Sequence, residues 1–380
     1  MKIGIATLIG EFNYGNLLQS YALQTVLERM GHKVITLNRR TESVSFKLLF
    51  IRLASLINSL FKRYILRNKQ ILIVSPLVEN YNPHRRLDNR EMRTFVNRHI
   101  KRSKPLRSSN DMYLYHKKEQ IDAYVVGSDQ VWRENYCLSI EENFFSFLRG
   151  EKAKRIAYAA SFGVEKNAIS KEKLSICAEL AKKFDAISVR EKSGIDICNK
   201  ELGVEATHVL DPTMLLDKED YIQLFKATNT PKSEGDLLIY ILDKEEQFTD
   251  YIEKFAKENT LQPFYFHQHK IDAINYSHKL SSIEKWLRGF YDAKFIITDS
   301  FHACVFSIIF QKPFICIGNK NRGMSRFDSL LSMFDLTDRL VDISELNNYK
   351  ISDIDWGKIN KTLSIKRNEA HIFLEASLQE

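Results

Sequence analysis

Glycine and proline are scarce, 14 and 7 in 380 residues, which excludes collagen-like and Pro/Gly-rich low-complexity chains. The five cysteines (Cys137, Cys177, Cys198, Cys304, Cys316) are odd in number and form no CxxC pair, so neither a disulfide framework nor a zinc ribbon is expected. A reducing cytoplasm fits that usage. No window offers about 18 uninterrupted apolar residues, and MKIGIATLIGEFNYGN has no charged leader followed by a long apolar stretch. The expectation is neither a spanning helix nor a cleaved secretion signal. GxxxxGKS/T, HExxH and GxSxG are all missing, and the loop after the first strand is not GxGxxG, which removes P-loop, zincin, serine-hydrolase and dinucleotide-fingerprint readings. His267 and His269 alternate at a strand end without carboxylate partners, so no metal is expected.

What is present is an ordinary globular composition, 44% hydrophobic and 27% charged. The length exceeds the roughly 250–300 residues that one core serves, so two domains are expected. Short apolar runs alternate with helical stretches throughout, the pattern of parallel α/β layers. KIGIATLI, KVITL, AYVVG, RIAYAAS, AISVR and THVLD read as strands of a first doubly wound sheet. Asn16 is the expected N-cap of the first helix, and Gly31 its stop. The turn-prone DPTMLLDKEDY reads as a linker. DLLIYIL, PFYFH, KFIITDS and PFICIG then read as a second sheet, followed by one long terminal helix. The expected domains are 1–212 and 213–350, both Rossmann-like, with a helix over 351–380. Such sheets bind ligands beyond the carboxyl ends of their strands, so the site is expected in the cleft between them.

The net charge of +8 is unevenly placed: between Val44 and Lys118 stand 17 Lys and Arg against 4 Asp and Glu. The first part of this insertion mixes Leu, Ile and Phe with Lys47, Arg52, Lys62, Arg63 and Arg67. The second part is a polybasic run. The composition suits an interfacial helix on anionic lipid headgroups; a core-packed helix beside a solvated basic loop suits it equally. Without a recognition motif, nucleic acid is not an expected partner.

Reactive groups are sought where strands end. In ITDSFHACVFSIIFQKPFICIG, Asp299 or Ser300 can cap the next helix and His302 falls in its first turn, beside N–H groups suited to an anion. The alternative is a histidine that merely packs there. Arg190 leaves strand AISVR with a planar fork for carboxylate or phosphate, or else pairs with Glu191 or Asp185. Gly127 ends a strand before Ser128 and Asp129, and Gly15 and Asn16 form a crest where backbone can approach a ligand. Arg322 and Arg326, after PFICIG, either clamp a phosphate or sit in solvent.

Taken together, NYGNLLQSYALQ, DAYVVGSDQVW, RIAYAASFG, ISVREKSG, VLDPTMLL and ITDSFHACVFSIIFQKPFICIG resemble the polysaccharide pyruvyl transferase family, in order and spacing, over roughly residues 1–340 outside the basic insertion. The resemblance implies a GT-B-like fold and transfer of a pyruvyl group from phosphoenolpyruvate to two hydroxyls of a sugar, as a cyclic ketal, with no further cofactor. It implies His302 as general acid or phosphate partner, with Arg190, Ser300, Arg322 and Arg326 on the donor side. Asp129 would orient or deprotonate a hydroxyl, with Tyr14, Gly15, Asn16 and Ser128 on the acceptor side. Some members have Arg-Leu-His where this chain has Ser300-Phe301-His302, and Arg322 or Arg326 would replace that arginine. Ala303 stands where many relatives have glycine. The expectation is a cytoplasmic, membrane-peripheral enzyme acting on a lipid-linked oligosaccharide. A GT-B glycosyltransferase and a non-catalytic glycan-binding scaffold are the alternatives.

Overall fold

The computed structural model of the chain describes all residues except 9–12, 41–45, 69–89, 167, 243–247, 267–280, 319–322 and 380. Arg322, His267 and His269 therefore lie outside the described residues. The first sheet holds β1 (Lys2–Ala6), β2 (Lys33–Thr36), β3 (Ala123–Val126), β4 (Lys154–Ala160), β5 (Ala186–Val189) and β6 (Thr207–His208). All pair in parallel in the order β2-β1-β3-β4-β5-β6. The second holds β7 (Leu237–Tyr240), β8 (Pro263–Tyr265), β9 (Phe295–Thr298), β10 (Phe314–Ile317) and β11 (Leu340–Val341). These too are parallel, in the order β11-β10-β9-β7-β8. Both are doubly wound sheets, as expected. Strands β3, β7, β9 and β10 are buried along their whole length, which is why they read as continuous apolar runs rather than alternating ones.

Each strand order reverses once, between β1 and β3 in the first sheet and between β7 and β9 in the second. At such switch points neighbouring connections diverge to opposite faces and leave a crevice at the strands' carboxyl ends. Thr7 and Ser128 follow the first pair, Leu242 and Ser300 the second.

The helix Tyr14–Arg29 crosses from β1 to β2 and turns Leu18, Ala22, Leu23, Val26 and Leu27 into the core. Its N-cap is Asn13, whose side chain accepts from the Asn16 N–H at 3.1 Å, not Asn16 as the sequence suggests. The helix begins earlier, so the Asn16 side chain is released for another partner. Gly31 ends the connection in the left-handed region, at φ +89°.

Several contacts among the described residues hold the domains together. Tyr14, 1% exposed, stacks on Trp286 of the second domain with centroids 5.3 Å apart and planes 8° from parallel. Its hydroxyl donates to the Ser281 carbonyl at 3.0 Å. The segment read as a linker is a buried 3-10 turn, Pro212–Leu215. The terminal helix, Trp356–Leu378, returns to the first domain: Arg367 donates to the Met214 and Leu216 carbonyls, and Phe373 packs on Tyr158.

The basic insertion divides differently from the sequence reading. Its polybasic second part contains a helix, Arg90–His99, that buries Met92, Phe95 and Val96, with Phe95 against Tyr21. Three apolar residues on one face sufficed to dock it. In the apolar first part, a helix over Phe46–Leu60 continuing as a π turn over Phe61–Ile65, it is Phe50, Ile51, Leu53, Ile57, Phe61, Tyr64 and Ile65 that are exposed.

Trp286 is fully buried among Tyr14, Tyr240, Phe290 and Phe306. Trp286→Ala is expected to cost about 3–5 kcal/mol. A shift in denaturation midpoint worth less than about 1 kcal/mol would contradict its place at the domain junction.

Candidate functional site

Segments that follow strands of both domains meet in the cleft. The Arg190 side chain, 1% exposed, leaves β5 between two carboxylates: Nη1 to Asp211 Oδ2 at 2.8 Å and Nη2 to Asp129 Oδ1 at 3.3 Å. Its ion-pair partners are neither Glu191 nor Asp185. Asp211 Oδ2 also accepts from the Ser128 hydroxyl at 2.9 Å, while its Oδ1 accepts from the Thr213 N–H and hydroxyl. Asp129 Oδ2 accepts from the Asn16 side chain at 3.0 Å. Asp129 sits at φ +72°, a left-handed conformation that aims its side chain back over the sheet edge.

His302 enters from the opposite wall, in the first turn of the helix Phe301–Phe310, as its sequence position suggests. Its Nε2 stands 3.6 Å from Asp211 Oδ2, beyond hydrogen-bond reach, and has no other hydrogen-bond partner among the described residues. The imidazole packs on Gly15, where an added Cβ would lie 2.1 Å from Nδ1. Only glycine lets the two helix N-termini approach this closely. Ser300 occupies the N-cap position but makes no side-chain cap, and Asp299 accepts from the Leu242 N–H instead. The first-turn N–H groups thus have no side-chain cap, a favourable place for an anion.

Arg326, 7% exposed, completes the wall from the helix Ser325–Met333. The guanidiniums of Arg190 and Arg326 lie over the Phe301 ring, at 4.6 and 5.8 Å from its centroid. The loop below is fixed by Glu191, whose Oε1 accepts from the Ser161 hydroxyl and the Phe162 and Gly163 N–H groups. Gly323 closes on that loop so tightly that a Cβ would meet the Gly163 carbonyl at 2.3 Å.

The electrostatics follow from this packing. Burial alone would raise the Asp129 carboxyl, but Arg190, His302 and the Asn16 amide outweigh it and hold it below its usual range. For Asp211, burial is likewise overcome by His302 and Arg190, and the carboxyl is held far below that range. Burial, and then Arg190, push Arg326 down to about 10.

Of the residues singled out from sequence, Asn16, Ser128, Asp129, Arg190, His302 and Arg326 converge here, with Gly15 against the imidazole. Ser128 is fully buried and its hydroxyl is engaged by Asp211. Tyr14 points away, into the domain junction. Asp211 was hidden because Asp-Pro reads as a turn; its position directly after the buried apolar pair Val209–Leu210 was the signal. Phe301 and Glu191 were missed because their roles depend on partners far along the chain. Among the described residues no group of three His, Cys, Asp or Glu side chains stands close enough to hold a metal ion.

Two facing doubly wound domains define the class first: a GT-B-like fold. The same architecture occurs in the UDP-GlcNAc 2-epimerase of Methanocaldococcus jannaschii, with a TM-score of 0.51 and 12% identity over 97% of this chain and 93% of that one. The UDP-GlcNAc 2-epimerase of Neisseria meningitidis, bound to UDP-GlcNAc, aligns over 100% of this chain and 95% of its own, with 8% identity and a TM-score of 0.49. Identities this low show fold alone. No curated protein matches the chain in sequence. The sequence profile described as Polysaccharide pyruvyl transferase matches residues 13–321, from the Asn13 cap to beyond His302. The chain belongs to that family.

Removing one member of a buried ion pair leaves the other charge unmatched. Asp211→Asn is therefore expected to cost about 3–5 kcal/mol. Because the folded carboxyls lie below their unfolded values, that stabilisation is complete above about pH 5 and is lost as pH falls toward the folded values. Denaturation curves should show the wild-type advantage constant from about pH 5 to 8 and shrinking in stronger acid. An advantage that grows on acidification would contradict the pairing.

Proposed function

We propose that the protein transfers the pyruvyl group of phosphoenolpyruvate to two hydroxyls of a sugar in a polysaccharide or its lipid-linked precursor, forming a cyclic ketal and releasing phosphate. The observation that carries this reading is the convergence of two buried guanidiniums, a histidine and a helix N-terminus without a side-chain cap on one cleft. A donor with a carboxylate and a phosphate requires two such anion sites. Arg190 and Arg326 would take one anionic group and the first turn at Ser300–His302 the other.

The chemistry then follows from position. His302 Nε2 delivers a proton to the terminal enol carbon, making it a methyl group. The adjacent carbon develops oxocarbenium character, which the Asp129 and Asp211 carboxylates stabilise. One sugar hydroxyl adds to that carbon, the bond to the phosphate oxygen breaks, and the second hydroxyl closes the ring. Of the two hydroxyl protons, one restores the proton given to the methyl group and the other leaves with phosphate. Asp129, held ionised and oriented by Asn16, accepts the first and then yields it to His302, which resets both groups. Reduced, free cysteines accord with a cytoplasmic setting.

Phosphate release from phosphoenolpyruvate by the full-length protein, with and without a glycolipid extract, tests this. Acceptor-dependent release is expected, falling by about 100-fold or more in His302→Ala. In Gly15→Ala, which displaces the imidazole, kcat should fall by a factor on the order of 100. Arg326→Ala should raise the KM for phosphoenolpyruvate about tenfold or more. Release of nucleoside diphosphate from a nucleotide-sugar, with none of phosphate from phosphoenolpyruvate, would overturn the reading in favour of a glycosyltransferase.

A further inference from the structure

Surface helices turn their apolar stripe inward. The stretch from Phe50 to Leu66 does the reverse. Phe50, Leu53, Ile57, Phe61 and Tyr64 recur at helical spacing and are 69, 37, 65, 51 and 65% exposed, followed by Ile65 and Leu66 at 66 and 62%. Five cations (Lys47, Arg52, Lys62, Arg63, Arg67) and no acidic residue lie between Phe46 and Asn68.

The root of the insertion is rigid. Beyond β2 the outgoing chain pairs with the returning one, Ser103 N to Thr36 O, Leu106 N to Asn38 O and Arg40 N to Leu106 O, all between 2.9 and 3.0 Å. Arg39, on the outgoing strand, is half of a buried ion pair with Glu142 at 2.8 Å. Because β2 runs parallel to β1, the excursion leaves from the same sheet edge that carries Thr7, Ser128 and Asp129.

We propose that Phe46–Arg67 is a membrane-docking element that lies in the headgroup region of an anionic bilayer, with the Phe50–Leu53–Ile57–Phe61–Tyr64 stripe among the acyl chains and the cations on the phosphates. Charge selects this occupant. The segment carries five cations and no acidic residue, so a second copy would set like charge against like, whereas anionic lipid offers the opposite charge. The apolar side chains are large and aromatic-rich, as an interfacial anchor requires. No helix among the described residues is long and apolar enough to cross a membrane, so docking would be peripheral. The element would bring the rim of the cleft to the bilayer, where a lipid-linked acceptor presents its sugar. That use rests on the pyruvyl-transfer reading; the docking does not.

Co-sedimentation of the full-length protein with vesicles of phosphatidylcholine, alone or mixed with phosphatidylglycerol, tests the docking independently of any turnover. Wild type should pellet with the mixed vesicles and remain in solution with the neutral ones. The triple variant Phe50→Ser, Ile57→Ser, Phe61→Ser and the double variant Lys62→Glu, Arg67→Glu should each bind at least about tenfold more weakly, with melting temperatures unchanged. Equal partitioning of wild type and both variants would overturn the proposal. So would a wild type that ignores both vesicles but dimerises through the stripe, with the dimer lost in the triple variant. A protein that docks but releases no phosphate from phosphoenolpyruvate would keep this inference and sink the pyruvyl-transfer reading.

Discussion

A guanidinium that is 1% exposed cannot be left without counter-charge, and in this chain Arg190 finds it in Asp129 and Asp211. The three come from the ends of β3, β5 and β6, so satisfying one buried charge fixes the relative position of three strand termini. Burial would lower the Arg190 pKa; Asp211 and Asp129 reverse that and keep it charged. The same network reaches the second domain, because Asp211 faces His302 and Arg190 lies over Phe301. Cleft geometry is thus set by one set of charges, which also reaches across the domain junction.

Two kinds of contact share the work at the junction. The Tyr14–Trp286 stack is apolar, buried and indifferent to ligand, and it aligns the first helix of one domain with the core of the other. The charged cluster above it is different. An anion entering between Arg190, Arg326 and the Phe301–Phe310 helix would compete directly with Asp129 and Asp211 for the same guanidiniums. Donor binding on this account loosens one salt-bridge network while building another, in a site whose walls are held by Glu191 and by the Gly163–Gly323 contact.

Much of the architecture was legible because parallel strands covered on both faces leave an unambiguous trace. β3, β7, β9 and β10 are each four residues of unbroken burial. β11, two residues long, carries no pattern at all. The crest residues were legible too, since a polar side chain directly after an apolar run has few places to go. Partnership was not. That Arg190 pairs with Asp211, 21 positions on, and Asp129, 61 positions back, is a property of the folded sheet. The basic insertion misled for a related reason: Met92, Phe95 and Val96 dock a helix that composition calls basic, while the more apolar side chains between Phe50 and Ile65 face outward.

The central claim is that the Arg190 network is the donor site, and calorimetric titration of phosphoenolpyruvate into wild type and Arg190→Lys, with a nucleoside diphosphate as control, tests it most directly. Lysine keeps the charge but loses the planar fork, so the account predicts saturable binding to wild type, weakened about tenfold or more in the variant, with no heat from the nucleotide. Equal affinity in both proteins, or binding of the nucleotide alone, would contradict it.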